Sequence, residues 1–459
     1  MIFKRIKSEG LAHNSYFIGS GDVAAVIDPR RDIQEYLDIA LKHGMTIKYI
    51  FETHRNEDFV MGSLELAEVT QAEIFHGPGL EWGYGVILKD GQEFRFGKLS
   101  LTAILTPGHT DESVSYFLVD LKSGLNPVMV FSGDALFVGD SGRVDLYGIS
   151  EIPRMAANLY ESIFTKILPL GDGVVLCPAH GAGSICGSNI ADRDESTLGL
   201  ERLQNPILRF ENKGEFIKHK SNELLEIPPY FLKMEQFNKE GPPRLINAVV
   251  PKLLTPSEFK KAMEGGANII DTRLPSAFGG AHIKGSYSIW LEGLPIFSGW
   301  FLSYETDILL VLEDQSQLDK AVHFLARIGY DRVLGFLKDG IDGWINAGYA
   351  VENLPLISVY KMKEKLDRKE DLLILDVRKP SEWSAGHIKG SLNIYVGHLE
   401  KRLSEISKDK PVVVYCSVGH RAGLAASILL RAGYTNVYSL LGSIVAWHNA
   451  GFPVVKVGG

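Results

Sequence analysis

Cysteine is scarce in this chain, with three in 459 residues, at Cys177, Cys186 and Cys416. Three unevenly spaced thiols cannot build a disulfide framework; they fit a reducing compartment. Positive charge is also short: 48 Lys and Arg stand against 56 Asp and Glu. A net charge of -8 argues against general nucleic-acid binding, because phosphate recognition needs a basic surface. No apolar run reaches the roughly 18 residues of a membrane span, so no membrane association is expected. The N-terminal Met1-Ile2-Phe3-Lys4-Arg5-Ile6 runs into charge and glycine, not into an apolar signal-peptide core. A cytoplasmic protein is expected. What is present is ordinary for a globular protein: 45% hydrophobic and 23% charged residues can bury large cores. The length predicts about three domains at roughly 150 residues each.

In the first half, polar residues of metal-ligand type stand at predicted strand ends. Ile47-Lys48-Tyr49-Ile50-Phe51 reads as a strand and opens into Thr53-His54-Arg55-Asn56-Glu57-Asp58-Phe59; a helix start follows at Met61 to Ala67. Leu101 to Thr106 leads to Pro107-Gly108-His109-Thr110. Pro127 to Ser132 leads to Gly133-Asp134, and Val174 to Cys177 leads to Pro178-Ala179-His180-Gly181. A lone His after a strand is more often a hydrogen-bonded structural residue. Four such positions in one α/β stretch point to a metal site.

This series resembles the ordered ligands of the metallo-β-lactamase superfamily, across residues 1–245. The resemblance implies an αββα sandwich with two adjacent metal sites. One site takes the first and second histidines of a His-x-His-x-Asp-His motif, a Gly-His and a bridging Asp. The other takes the motif's Asp and last His, the bridging Asp and a late His. Here Asn56 and Phe59 replace two of those histidines, so the resemblance leaves His54, His109 and Asp134 on one ion. Two imidazoles and one carboxylate with open positions form the facial set of non-haem Fe(II) oxygenases. The chain further resembles persulfide dioxygenases of this fold, through Gly142-Arg143-Val144-Asp145, Cys177 to Ser184, Thr197 to Arg202 and Asn205-Pro206. That resemblance implies one Fe(II) per chain, a low-molecular-weight persulfide of glutathione, coenzyme A or polysulfide type, sulfite as product, and a homo-oligomer (dimer or tetramer). Asn56, Asp58, Arg143 and His180 are expected around the ion or in the substrate pocket. Asp58 is expected to orient a histidine. Arg143 either clamps an anionic substrate or pairs with Asp145. Cys177 and Cys186 are expected to be packing thiols.

Pro228-Pro229 and Gly241-Pro242-Pro243 mark residues 222–250 as linker chemistry, with a boundary near 245. Beyond it the chain repeats itself at about 104 residues. Asp271-Thr272-Arg273 and Ala281-His282-Ile283-Lys284-Gly285 return as Asp376-Val377-Arg378 and Gly386-His387-Ile388-Lys389-Gly390. These signatures resemble two rhodanese domains, 246–353 and 354–459, each a parallel-sheet α/β unit. In the second, the strand Val412 to Tyr415 ends in Cys416-Ser417-Val418-Gly419-His420-Arg421, followed by a helix to Arg431. A Cys in such a turn faces backbone N–H groups and a helix N-terminus, with Arg421 adding positive charge and Gly419 letting the loop curl. The same cradle suits a cysteine persulfide, with Ser417, Val418 and His420 completing the loop. The first copy carries Leu310-Val311-Leu312-Glu313-Asp314 in the corresponding place and has no nucleophile. It is expected to serve as a spacer or docking surface. Asp376 and Arg378 are expected to brace the fold.

The combined expectation is persulfide oxidation coupled to sulfane-sulfur transfer through Cys416, making or using thiosulfate. Two alternatives stand beside it. One is a thioester hydrolase of glyoxalase II type, which needs a water activated by two metals. The other is a Cys416 sulfurtransferase whose first half is only a binding scaffold.

Overall fold

The computed structural model describes residues 1–210, 212–223 and 225–456. The chain divides into two compact units, Met1–Asn247 with Ala326–Gly329, and Ala248–Leu325 with Tyr330–Gly459.

In the first unit, six strands lie side by side in chain order: Ile2–Ser8, His13–Ser20, Val23–Ile27, Thr46–Phe51, Glu73–His76 and Val86–Ile87. The first three are antiparallel and the rest join in parallel. Strand side chains alternate between the two faces of a sheet, and this strand set is apolar on both. Tyr16, Ile18, Ala25, Ile27, Phe51 and Phe75 enter the core between the sheets. Phe17, Val26, Ile50 and Ile74 face the helices Gln34–Lys42 and Ser63–Thr70 through Tyr36, Ala40 and Leu66. A second six-stranded sheet, from Glu93–Phe96 to Ser196–Thr197, supplies Phe94, Leu101, Tyr116 and Phe131 to the shared core. Its outer face packs on helix Ile152–Glu161. The result is an αββα sandwich. The strands Thr46–Phe51, Leu99–Leu105, Pro127–Gly133 and Val175–Pro178 deliver the four ligand-type loops.

The proline-rich stretch 222–250 is more than a linker. It holds the helix Phe231–Glu240, whose Asn238 is fully buried. The Asn238 amide donates to the carbonyls of Asn56 (2.6 Å) and Phe59 (2.7 Å), and its oxygen accepts from the Met61 N–H (2.8 Å). Three backbone groups of the ligand loop thus depend on one side chain. Replacing Asn238 with Leu strands all three, and we expect a loss of about 3 kcal/mol or more in unfolding free energy, read by denaturant titration.

The second unit contains two five-stranded, wholly parallel sheets of the same order. One runs Lys252–Leu254, Val333–Leu337, Ile308–Val311, Asn268–Asp271, Tyr287–Ser288; the other runs Leu356–Ile357, Val437–Leu440, Val412–Tyr415, Leu373–Asp376, Leu392–Asn393. In each copy the Arg of Asp-x-Arg folds back on the Asp with two charge-assisted bonds and reaches a carbonyl just before the His-Ile pair. These are Arg273 to Asp271 and Ala281 O, and Arg378 to Asp376 and Gly386 O. The copy without a cysteine keeps this clamp intact, so the clamp serves the fold and not the chemistry.

The two copies share a tight seam. A Cβ on Gly423 would lie 2.6 Å from Pro275 Cβ, and one on Gly397 would lie 2.5 Å from the Trp300 ring. Ser427 Oγ accepts from the Ser288 N–H (3.0 Å), and the Arg431 guanidinium sits 3.8 Å over the Tyr287 ring. Within the first copy's helix Leu294–Phe301, Trp300 lies against Tyr395 and His398 of the second copy. No described helix is long and apolar enough to cross a membrane.

Candidate metal centre and sulfur-transfer loop

His54, His109 and Asp134 converge, all buried. Asp134 Oδ2 lies 3.7 Å from His54 Nε2 and 3.5 Å from His109 Nε2. Both Nε2 atoms are buried and hydrogen-bond to nothing. Their other nitrogens are held from behind: His109 Nδ1 donates to the Arg143 carbonyl (2.9 Å), and His54 Nδ1 is 2.9 Å from Thr53 Oγ1. Thr53 is fixed in turn by Asp28. Rings tethered on one side with a bare nitrogen on the other are how metal-binding imidazoles are prepared. Burial pushes His54 down to about 4 against the pull of Asp134, so its lone pair is available. His109 moves the other way: burial disfavours its charge, but Glu57 and Asp134 outweigh burial and raise it. Asp134 stays ionised; burial alone would raise its carboxyl, and His180 and His54 bring it far below the usual carboxylate range. Two bare imidazole nitrogens and a carboxylate suit one divalent ion.

The neighbouring position is the poorer donor set: Asp58, His180 and Cys186 each bring one donor atom within 4.8 Å of the others, with a single imidazole among them. His180 Nδ1 lies 2.8 Å from Asp134 Oδ1, and its Nε2 lies 3.0 Å from Asp58 Oδ2. Burial opposes charge on His180, yet the two carboxylates raise it well above 6.5. Held between two carboxylates, His180 is the only imidazole in that donor set. Phe59 is fully buried with its ring 4.0 Å from His13, whose Nδ1 contacts Ser8 Oγ at 2.9 Å. Asn56 donates weakly to Met61 Sδ and the His54 carbonyl, and its buried Oδ1 has no partner.

Arg143 is placed as a structural residue. It pairs with Asp145 through two bonds of 2.6 and 2.8 Å and donates to the carbonyls of Ile185, Leu225 and Glu226. With all that committed and the side chain buried, the anion-clamp alternative is set aside, and its carbonyl holds His109 instead. Sequence reasoning passed over two residues. Glu57 occupies an unspecified position of the motif, which pattern comparison skips; it forms a group of mutually close donor atoms with His54 and His109. Cys186, expected to be a packing thiol, has Sγ within 4.8 Å of the donor atoms of His109 and Asp134.

In the second unit, Cys416 ends its strand and is buried. The loop turns at Gly419, whose φ of 123° lies in the glycine-favoured region, and the Gly419 N–H donates to Sγ at 3.1 Å. The helix His420–Arg431 begins there. Ser443 Oγ accepts from the Cys416 N–H (3.1 Å) and lies 3.9 Å from Sγ. Arg421 is held by Glu382 through two bonds of 2.6 and 2.8 Å and also donates to Ser417 Oγ. Val418 is exposed at the loop tip, and Trp290 of the Cys-less copy stacks on His420 at 4.7 Å. Glu382, Ser443 and Trp290 were not legible in the loop motif, because each comes from a distant segment. In the first copy Leu312 follows the matching strand and is buried, so the cradle is lost.

Burial alone would raise Glu382, but Arg421 lowers it from 4.5 to about 2. A depressed carboxylate contributes stability above its ordinary pKa and loses it as pH falls through the folded value. The bracing of the loop is therefore complete above about pH 4.5 and lost between there and about 2, which a carbon-13 carboxyl titration will register. Glu382→Ala should lower sulfur-transfer kcat/KM by about tenfold, the worth of one charge-assisted bond in a half-buried site.

A family profile for the metallo-beta-lactamase superfamily matches residues 9–180, and one for the rhodanese-like domain matches residues 255–347 and 358–450. A sulfurtransferase of Allochromatium vinosum is 38% identical over 94 residues, 20% of this chain and 88% of its own length. A hydroxyacylglutathione hydrolase of Brucella anthropi is 32% identical over 206 residues, 39% of this chain and 74% of its own. A solved metallo-beta-lactamase structure from Staphylococcus aureus superposes with a TM-score of 0.65 at 30% identity, covering 74% of this chain and 99% of that one. The chain belongs to the metallo-β-lactamase superfamily, in a fusion with two rhodanese-like domains.

Proposed function

We propose that the first unit oxidises a low-molecular-weight persulfide to sulfite at a single Fe(II), and that Cys416 carries sulfane sulfur between small molecules. The observation that carries this reading is the asymmetry of the centre. Two bare imidazole nitrogens share one carboxylate oxygen, while the adjoining position has Phe59 in place of a histidine and a single imidazole, His180, set between Asp134 and Asp58. When bound, the ion supplies the redox chemistry that joins substrate sulfur to dioxygen. The chain's own residues hold the donors still: Thr53 and the Arg143 carbonyl orient the imidazoles, and Asn238 holds the loop. One persulfide, one dioxygen and one water give one thiol, one sulfite and two protons. The carrier thiol is a glutathione, coenzyme A or polysulfide species.

At Cys416 a sulfane sulfur becomes the outer atom of a cysteine persulfide, next to the Gly419 N–H. Sulfite attacks that outer sulfur, the inner S–S bond breaks, its electron pair stays on Cys416 Sγ, and thiosulfate leaves. Run backwards, the same step loads the cysteine. Having both activities on one chain raises the effective concentration of sulfite at the second site.

A second reading is favoured by the 32% identity to a hydroxyacylglutathione hydrolase. Thioester hydrolysis of that kind uses a water held between two metals, and here the second ion would have only Asp58, His180 and Cys186, without the histidine that Phe59 replaces. Elemental analysis of anaerobically purified protein separates the readings. About one iron per chain, with oxygen uptake on adding glutathione persulfide, supports the dioxygenase. Two zincs per chain with thioester cleavage overturn it.

A further inference from the structure

Glu57, like Cys186, is a donor group in the centre to which the metallo-β-lactamase motif gives no role. It follows Asn56 in the ligand loop and is fully buried, with neither carboxylate oxygen making a hydrogen bond. A carboxylate buried in that state is expensive unless a cation faces it. The surrounding cations are few. Arg55 Nη2 stands 3.6 Å from Oε1 and is shared with Glu235 at 3.4 Å. On the other side, Oε2 is 3.5 Å from His109 Nε2.

That last distance decides the matter. Two donors each about 2.1 Å from one ion, at angles between octahedral and tetrahedral, stand about 3.0–3.4 Å apart. His109 Nε2 lies 3.5 Å from Asp134 Oδ2 and 3.5 Å from Glu57 Oε2. Glu57 is therefore at the same ligand spacing from His109 as Asp134 is. Its donor oxygen also lies within 4.8 Å of those of both His54 and His109.

We propose that Glu57 is a fourth protein ligand, so that the centre is a two-histidine, two-carboxylate site made of His54, Glu57, His109 and Asp134. The inference rests on the single-metal reading of this centre, though not on which divalent metal fills it. Two neutral imidazoles and two carboxylates exactly balance the charge of a divalent ion. The centre then exerts little net pull on an anionic substrate, and one fewer position is left open than in a two-histidine, one-carboxylate site. Glu57 offsets the position that Asn56 has ceded, from the next residue along the same loop. Arg55, on the other carboxylate oxygen, is a positioning residue for it.

The test is metal binding by the full chain, with Co(II) as the spectroscopic probe and Fe(II) and Zn(II) in chelator competition. Glu57→Gln removes the charge and keeps the shape; Glu57→Asp keeps the carboxylate on a shorter stem. The expected result is a loss of at least about tenfold in affinity for all three ions in Glu57→Gln, together with a changed Co(II) d–d spectrum. Partial recovery of both is expected in Glu57→Asp. A Glu57→Gln protein with native circular dichroism, wild-type affinity and a wild-type Co(II) spectrum overturns the assignment while leaving the single-metal reading standing. Wild-type protein that takes up none of the three ions overturns both. Lower stability of Glu57→Gln with an unchanged Co(II) spectrum reduces Glu57 to a partner of Arg55 and also overturns the proposal.

Discussion

Replacing Cys416 with serine should abolish transfer of sulfane sulfur from thiosulfate to cyanide or thiol, by more than about a thousandfold, as expected when a covalent nucleophile is removed. The substitution is nearly isosteric, and the loop has its own supports. Gly419 turns it, Ser443 holds the Cys416 N–H, and the Glu382–Arg421 pair braces its far side. The fold should survive, with an unchanged melting temperature. Serine cannot form the persulfide, so mass spectrometry after incubation with thiosulfate should show no gain of one sulfur on the peptide containing residue 416. Metal content should stay at the wild-type level, because His54, His109 and Asp134 lie in the other unit, and so should oxygen uptake under the proposed function. Persistent transfer in Cys416→Ser would move the nucleophile to Cys177 or Cys186. Both are buried, and burial raises both thiols, Cys177 to about 12.

The second large effect is expected at the metal centre. His54→Ala or Asp134→Ala should reduce bound metal to below about a tenth of a chain equivalent, since even outer partners of metal ligands are worth about 10- to 100-fold in affinity. The two variants should differ in one respect. Asp134 serves two cations at once, with Oδ2 facing His54 and His109 and Oδ1 facing His180. Its loss leaves buried His180 with Asp58 as its one remaining carboxylate partner, at 3.0 Å, which is destabilising. His54→Ala removes only one ring from a preformed pocket. Asp134→Ala should therefore lower the melting temperature as well as the metal content, whereas His54→Ala should lower the metal content alone. Sulfur transfer at Cys416 should be untouched in His54→Ala.

The legible parts of the molecule were those carried by local chain chemistry. Apolar runs ending in ligand-type residues placed the strands and hence His54, His109, Asp134 and His180. The internal repeat placed both parallel sheets, and the Cys-x-x-Gly-x-Arg turn placed the cradle. What stayed hidden depends on which distant segments meet. Asn238 lay in a stretch whose prolines read as linker, yet three of its hydrogen bonds shape the ligand loop. Glu382 and Ser443 reach the sulfur loop from 35 and 27 residues away in sequence. Glu57 was in plain view, but a motif defined by its histidines gives no weight to what stands between them. Arg143 could be narrowed only by seeing that Asp145 and three carbonyls already occupy its guanidinium.

The seam between the two repeats bears on how such a duplication ages. Once the second copy set the almost wholly buried helix His420–Arg431 against Pro275 and Ser288 of the first, the idle copy ceased to be dispensable. It has no nucleophile, yet it supplies the surface that keeps its twin's helix dry. A shortened chain beginning at residue 354 would bring Gly423, Ser427 and the side of Trp290's stacking partner His420 into water. Selection on the working copy is in that sense also selection on the silent one, and the freedom to drift is confined to faces away from the seam.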